Sequence, residues 1–115
     1  FFNKGETVSY NFRKNALIKL KSTILKYENE IKDALLKDLG KSSTESYMCE
    51  IGMVLSELSY AIKHLKSWMK KKKVKTPLAQ FHSKSFTISE PLGVVLVMSP
   101  WNYPLCLLLT QLLAH

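Results

Sequence analysis

The period of the apolar positions changes along the chain, and each change marks an element. From about Thr7 to Leu39 the spacing is helical: Phe12, Ala16, Leu20, Ile24 and Tyr27 fall near one stripe, with lysines between them. A second phase, Ile31, Leu35 and Leu39, follows Glu28-Asn-Glu30, which predicts a kink or short break there. Gly40 stands where a helix commonly closes in a left-handed cap. Ser42, Ser43 and Thr44 offer capping hydroxyls for a second helix that opens at Glu45 or Ser46. Its apolar line is Tyr47, Ile51, Val54, Leu55, Leu58, Ile62, Leu65 and Trp68. That line predicts one helix running to about Lys70, on the order of 40 Å long. Gly52 in mid-helix costs stability relative to alanine, and close packing against another element would account for it.

The helical pattern breaks at Val74-Lys-Thr-Pro77, because proline disfavours helix in the residue before it. His82 to Ser89 alternates, with Phe86 and Ile88 facing one way and Thr87 the other. Glu90-Pro-Leu-Gly93 then turns the chain into Val94 to Met98, apolar on both faces, as in a strand covered on both sides in an α/β sheet. Such a strand places functional groups at its carboxyl end, where Ser99, Pro100, Trp101 and Asn102 follow. Pro104 suits the first position of a closing helix, and Leu105 to Leu113 is apolar nearly all round, which predicts burial. The predicted class is α/β. An isolated two-faced strand beside an apolar helix would expose more hydrophobic surface than a monomer normally does, so the chain reads as the opening of a larger α/β protein.

Composition narrows the function classes. The 115 residues suffice for one domain that buries roughly two-thirds of its unfolded surface. Seventeen basic residues against nine acidic ones give a net charge of +8, spread over the first three-quarters. Only Lys70 to Lys73, with Lys75, forms a dense run. No aromatic interleaving and no arginine pair accompanies it, so it reads as a solvated helix end favoured by the carboxyl-terminal dipole, with no nucleic-acid partner. Cys49 and Cys106 form neither a metal spacing nor a disulfide framework. The start, Phe1-Phe-Asn-Lys-Gly5, lacks a signal-peptide pattern, and the absent initiator methionine reads as a trimmed or incomplete amino terminus. Leu105 to Ala114 is too short to span a bilayer. The expectation is a soluble protein of the reducing cytoplasm without a stable membrane anchor.

The segment Ser89-Glu-Pro-Leu-Gly-Val-Val-Leu-Val-Met-Ser-Pro-Trp-Asn-Tyr-Pro104 resembles the amino-terminal signature of aldehyde dehydrogenases, especially the class 3, fatty-aldehyde-like branch. Asp38-Leu-Gly-Lys-Ser-Ser43, the helix from Glu50-Ile to Ser67-Trp68, and Val74-Lys-Thr-Pro77 resemble the same branch. The resemblance implies one unit over residues 1–115, the amino-terminal part of an NAD(P)-binding domain. In it, about 7–70 would be helical, 81–98 would hold strands including an oligomerisation excursion, and 104–115 would begin a buried helix. The fold implied is amino-terminal helices, an extended β-excursion and the first core strand of a Rossmann-like cofactor domain. By the same resemblance Asn102 is the oxyanion donor, Ser99, Pro100 and Trp101 line the NAD or NADP site, and Tyr103 stands near the substrate tunnel. The implied substrate is an aldehyde, and the intact protein is expected to be a homodimer. The family's nucleophilic cysteine, glutamate base, glycine-rich turn and Lys-Pro-Ser-Glu element lie downstream of this region. Cys106 does not match the nucleophile, and the fragment alone is expected not to turn over.

Each residue also has a plainer reading. By spacing alone Asn102 caps the helix that starts at Pro104, and Trp101 is a core or interface aromatic. Cys49 and Cys106 read as small buried hydrophobes, with no histidine within a few residues of Cys106 to lower its pKa. His64 reads as solvated, while His82 and His115 carry no ligand pattern. Glu45, Glu50 and Glu57 read as surface partners of lysines one helical turn away. Two other classes stay open on the residues: a small basic helical module that binds nucleic acid or an acidic partner through Lys70 to Lys75, and a truncated non-catalytic relic acting as a scaffold.

Overall fold

A computed structural model describes residues 4–114; expectations about Phe1 and His115 lie outside them. After a short 3₁₀ turn at Glu6–Val8, the first helix, α1, spans Tyr10–Lys26 and the second, α2, spans Glu28–Leu39. The predicted break falls at Tyr27, with φ −102°, yet hydrogen bonding runs across it from Tyr27 N–H to Thr23 O and from Ile31 N–H to Tyr27 O. It is a kink rather than a gap. Gly40 closes α2 at φ 67°, a conformation glycine adopts without a Cβ penalty. The reversal turns Lys41, the next residue, into the interior.

Ser42 caps the next helix, its hydroxyl accepting from Glu45 N–H at 3.2 Å. That helix begins as α3, Ser43–Ser46, widens into a π turn over Tyr47–Ile51, and continues as α4, Gly52–Trp68. A Cβ on Gly52 would lie 2.9 Å from Tyr47 O, so the close approach expected there is to the helix's own widened turn, not to another element. Ile51, Val54, Leu58, Ala61 and Leu65 form the buried line. Tyr47 and Trp68, at the ends of the expected line, are exposed.

Ile24, Ile51, Val54, Leu58, Cys106 and Leu109 make the core, with Leu17, Leu20, Ile31, Leu55, Leu105 and Leu113 packed on it. Thus α4 lies between α1 and the last helix, α5, Pro104–Ala114. On α1 the buried stripe passes through Leu17, Leu20 and Ile24, while Phe12 and Tyr27 are exposed. Only one side of α5 is covered: Cys106 and Leu109 are buried, Leu108 and Leu112 exposed.

The strands differ most from expectation. The only sheet among the described residues pairs β1, Lys72–Val74, antiparallel with β2, Ser85–Thr87, in the register Lys72 opposite Thr87 and Val74 opposite Ser85. β2 falls inside the predicted alternating stretch. β1 takes up lysines expected to end the long helix: they stay solvated, but on a strand, with Lys71 Nζ 4.8 Å from the Phe86 ring centre. Val94 to Met98, expected as a core strand, joins no ladder. Val94, Leu96 and Met98 are 92, 81 and 77% exposed. A parallel strand needs at least one hydrogen-bonded neighbour and cover on both faces. No second strand among the described residues lies beside this one.

Candidate functional site

The segment Ser99–Pro104 is an elbow between the unpaired stretch and α5. It is held from beneath by two charged side chains, both buried. Glu50 belongs to the π turn and is 0% exposed. Its Oε2 accepts from the Leu105 N–H at 2.9 Å and the Cys106 N–H at 3.2 Å, satisfying two of the amides that a helix start leaves without partners. Its Oε1 accepts from Lys41 Nζ at 2.5 Å. The same ammonium donates to the Asn102 main-chain carbonyl at 2.9 Å and lies 4.1 Å from the centre of the Tyr103 ring. A buried pair persists when further hydrogen bonds satisfy its remaining valences, and here each charge has them.

This arrangement bears on the capping reading of Asn102. The first free amides of α5 end on Glu50, so Asn102 does not cap that helix. Its main chain is tethered, whereas its carboxamide is exposed and makes no hydrogen bond among the described residues. Trp101 is 85% exposed and Pro100 is also exposed, so neither is a core residue of these elements. Ser99 is half-buried, its hydroxyl donating to Pro104 O over a long 3.4 Å. Tyr103 covers the ammonium of Lys41. The five expected site residues are therefore consecutive along the elbow but not packed together; only Tyr103 and the Asn102 backbone join the buried pair.

Cys106 is buried against the core, and burial foremost, then the neighbouring Glu50 carboxylate, pushes its thiol above the ordinary range. It stays protonated, as expected of a structural thiol and not of a nucleophile. Cys49 is half-buried and free. His64 is half-buried rather than solvated: it hydrogen-bonds Tyr60 O at 2.8 Å, and its ring lies against those of Tyr60 and Trp68, with centres 4.0 and 6.1 Å away. No cluster of three or more potential metal ligands occurs among the described residues.

Sequence reasoning missed Lys41 and Glu50, placing Glu50 among surface pairs. A signal existed, because Ser46, Glu50, Val54 and Leu58 follow one another at four-residue steps down the buried line. A carboxylate on that line needs a buried partner, and the residue folded inward by the Gly40 cap supplies it.

The aldehyde dehydrogenase family model matches residues 2–115 of this sequence. The chain belongs to the aldehyde dehydrogenase family. It is 45% identical over 113 residues to the 4,4'-diaponeurosporen-aldehyde dehydrogenase of Staphylococcus aureus, covering 98% of this chain and 25% of that protein. It is 43% identical to aldehyde dehydrogenase family 3 member H1 of Arabidopsis thaliana, covering 92% of this chain and 22% of that protein. Family 3 is the branch expected from the residues. A solved structure described as the substrate-bound state of Staphylococcus aureus AldH superposes with TM-score 0.95 at 45% identity, over 98% of this chain and 25% of that one. The chain spans about a quarter of the length of the curated relatives it matches. Among the described residues, no helix of this aldehyde dehydrogenase segment is long and apolar enough to cross a membrane.

Proposed function

We propose that the polypeptide carrying this segment oxidises an aldehyde to the carboxylic acid with NAD or NADP as hydride acceptor. The observation that carries the reading is the family match over residues 2–115, which includes the whole elbow. In this reading a thiolate supplied elsewhere in the polypeptide adds to the aldehyde carbon, and negative charge grows on the carbonyl oxygen. Asn102 donates its amide N–H to that oxygen. Such a donor stabilises the transition state when it is preorganised, because no reorganisation is then needed as charge appears. A tethered main chain and an unengaged carboxamide suit that task. Loss of hydride and then hydrolysis of the thioester complete the reaction: aldehyde, oxidised nicotinamide and water give acid, reduced nicotinamide and a proton.

NAD or NADP supplies the hydride acceptor when bound. The residues present fit part of such a group: Pro100 and the uncovered Trp101 indole offer flat apolar surface, with Ser99 beside them. Tyr103 is assigned to the substrate side of the elbow. Val94 to Met98 becomes the first strand of a Rossmann-like sheet once neighbouring strands cover it, and 81–98 contributes to a homodimer contact. Two unpaired thiols suit the reducing cytoplasm. The test is an assay of the full-length gene product with a medium-chain aldehyde and each nicotinamide cofactor. Aldehyde-dependent cofactor reduction is expected; none with either cofactor, in a folded preparation, overturns the reading.

A further inference from the structure

Neither Lys41 nor Glu50 touches the atoms assigned to the reaction, yet the hydrogen bonds that fix the elbow pass through them. On one side of Tyr103, Glu50 Oε2 holds the Leu105 and Cys106 amides. On the other, Lys41 Nζ holds the Asn102 carbonyl. The Lys41–Glu50 contact joins the two holds into one clamp. Both anchors have defined backbone seats: Glu50 lies in the π turn between α3 and α4, where Gly52 permits the close approach, and Lys41 follows directly on the Gly40 cap. The Asn102 carboxamide has no hydrogen bond of its own among the described residues, so within this segment the backbone tether is what fixes where that side chain starts.

A pair serving stability alone needs a further acceptor for the ammonium, but nothing in stability requires that the acceptor be the Asn102 carbonyl. Glu50 by itself satisfies the start of α5, and two apolar side chains of similar volume are often as stable as a buried ion pair. The bond from Lys41 to the Asn102 carbonyl adds something else, a fixed position for the residue that must present an amide.

We propose that the buried Lys41–Glu50 pair is the positioning device of the elbow, holding the Asn102 backbone so that its carboxamide is preorganised toward an aldehyde oxygen. The proposal rests on the oxyanion role given to Asn102 above. A misplacement of about 1 Å from a residue outside the reacting atoms can cost on the order of 100-fold in rate. Releasing the clamp is therefore expected to lower kcat by about 10- to 100-fold, with the KM for aldehyde little changed.

The experiment uses the full-length enzyme. Glu50→Gln keeps shape and one acceptor, while the paired Lys41→Met/Glu50→Gln variant removes both charges together, so that no buried charge is stranded. Each is made alone and in an Asn102→Ala background. If the pair acts through Asn102, its loss in that background lowers kcat by no more than about threefold, because residues acting as a unit are non-additive. Hydrogen–deuterium exchange of amides 102–107 gives a readout independent of turnover: faster exchange confined to this stretch is expected in both variants. Undiminished effects on kcat in the Asn102→Ala background, or exchange at 102–107 no faster than in the parent enzyme, overturn the positioning role. If Asn102→Ala alone leaves kcat unchanged, the oxyanion reading has failed instead, and exchange still decides whether the pair holds the elbow.

Discussion

Glu50 is tolerated at full burial because both its oxygens meet donors: an ammonium on one and two helix amides on the other. Removing the carboxylate strands Lys41 and leaves both amides bare. Glu50→Ala is therefore expected to destabilise by about 3–5 kcal/mol, as a lower denaturation midpoint at unchanged slope. Cys106 responds to pH in a definite direction. Its pKa is raised in the folded protein, so the folded state holds the thiol proton more tightly than the unfolded one. That contribution is complete below the ordinary thiol value of 9.0 and is lost as pH rises through the raised value. Cys106→Ala should flatten the alkaline limb of a stability-versus-pH profile; a limb as steep as the parent's would mean that another group titrates there.

The helices follow from their periodicity and caps, and β2 from its alternation, whereas β1 and the stretch Val94 to Met98 do not. The break near Tyr27, the Gly40 cap, the Ser42 cap and the Pro104 start are all local events, decided by residues within a turn of each other. The inward turn of Glu50 was legible only as a four-residue step from Ser46 to Val54, a weak signal because the π turn shifts the helical phase just where the carboxylate sits. β1 was hidden in a lysine run with only Val74 as an apolar signal, since its support comes from a partner a dozen residues on. Val94 to Met98 has the pattern of a core strand, but a ladder depends on neighbours that the pattern itself does not supply. Gly52 gives an element-scale test. Gly→Ala inside a helix ordinarily gains about 1 kcal/mol. Here the new Cβ meets Tyr47 O at 2.9 Å, so Gly52→Ala should instead cost about 1–3 kcal/mol in chemical denaturation. A stabilised variant would show that the π turn yields freely to an α turn.

At the scale of the molecule the described residues are elongated. The radius of gyration is 18.7 Å, against about 13 Å for a compact chain of this length. Much of the excess apolar surface lies in one stretch: Leu92, Val94, Leu96, Met98 and Trp101 are all exposed there. Surface of that kind is normally covered by other protein. Expressed by itself, the 115-residue chain is expected to bind a hydrophobic dye and to self-associate in light scattering. A monodisperse monomer with no dye binding would mean that this stretch finds cover within the chain.

The most direct test of the central claim, that the elbow presents a preorganised amide to a developing oxyanion, is the kcat of Asn102→Ala in the full-length enzyme at saturating aldehyde. Removal of one such donor predicts a fall of about 100- to 1000-fold in a variant that still folds and still binds cofactor. Turnover within about twofold of the parent enzyme, far below the loss expected for an oxyanion donor, would contradict the account.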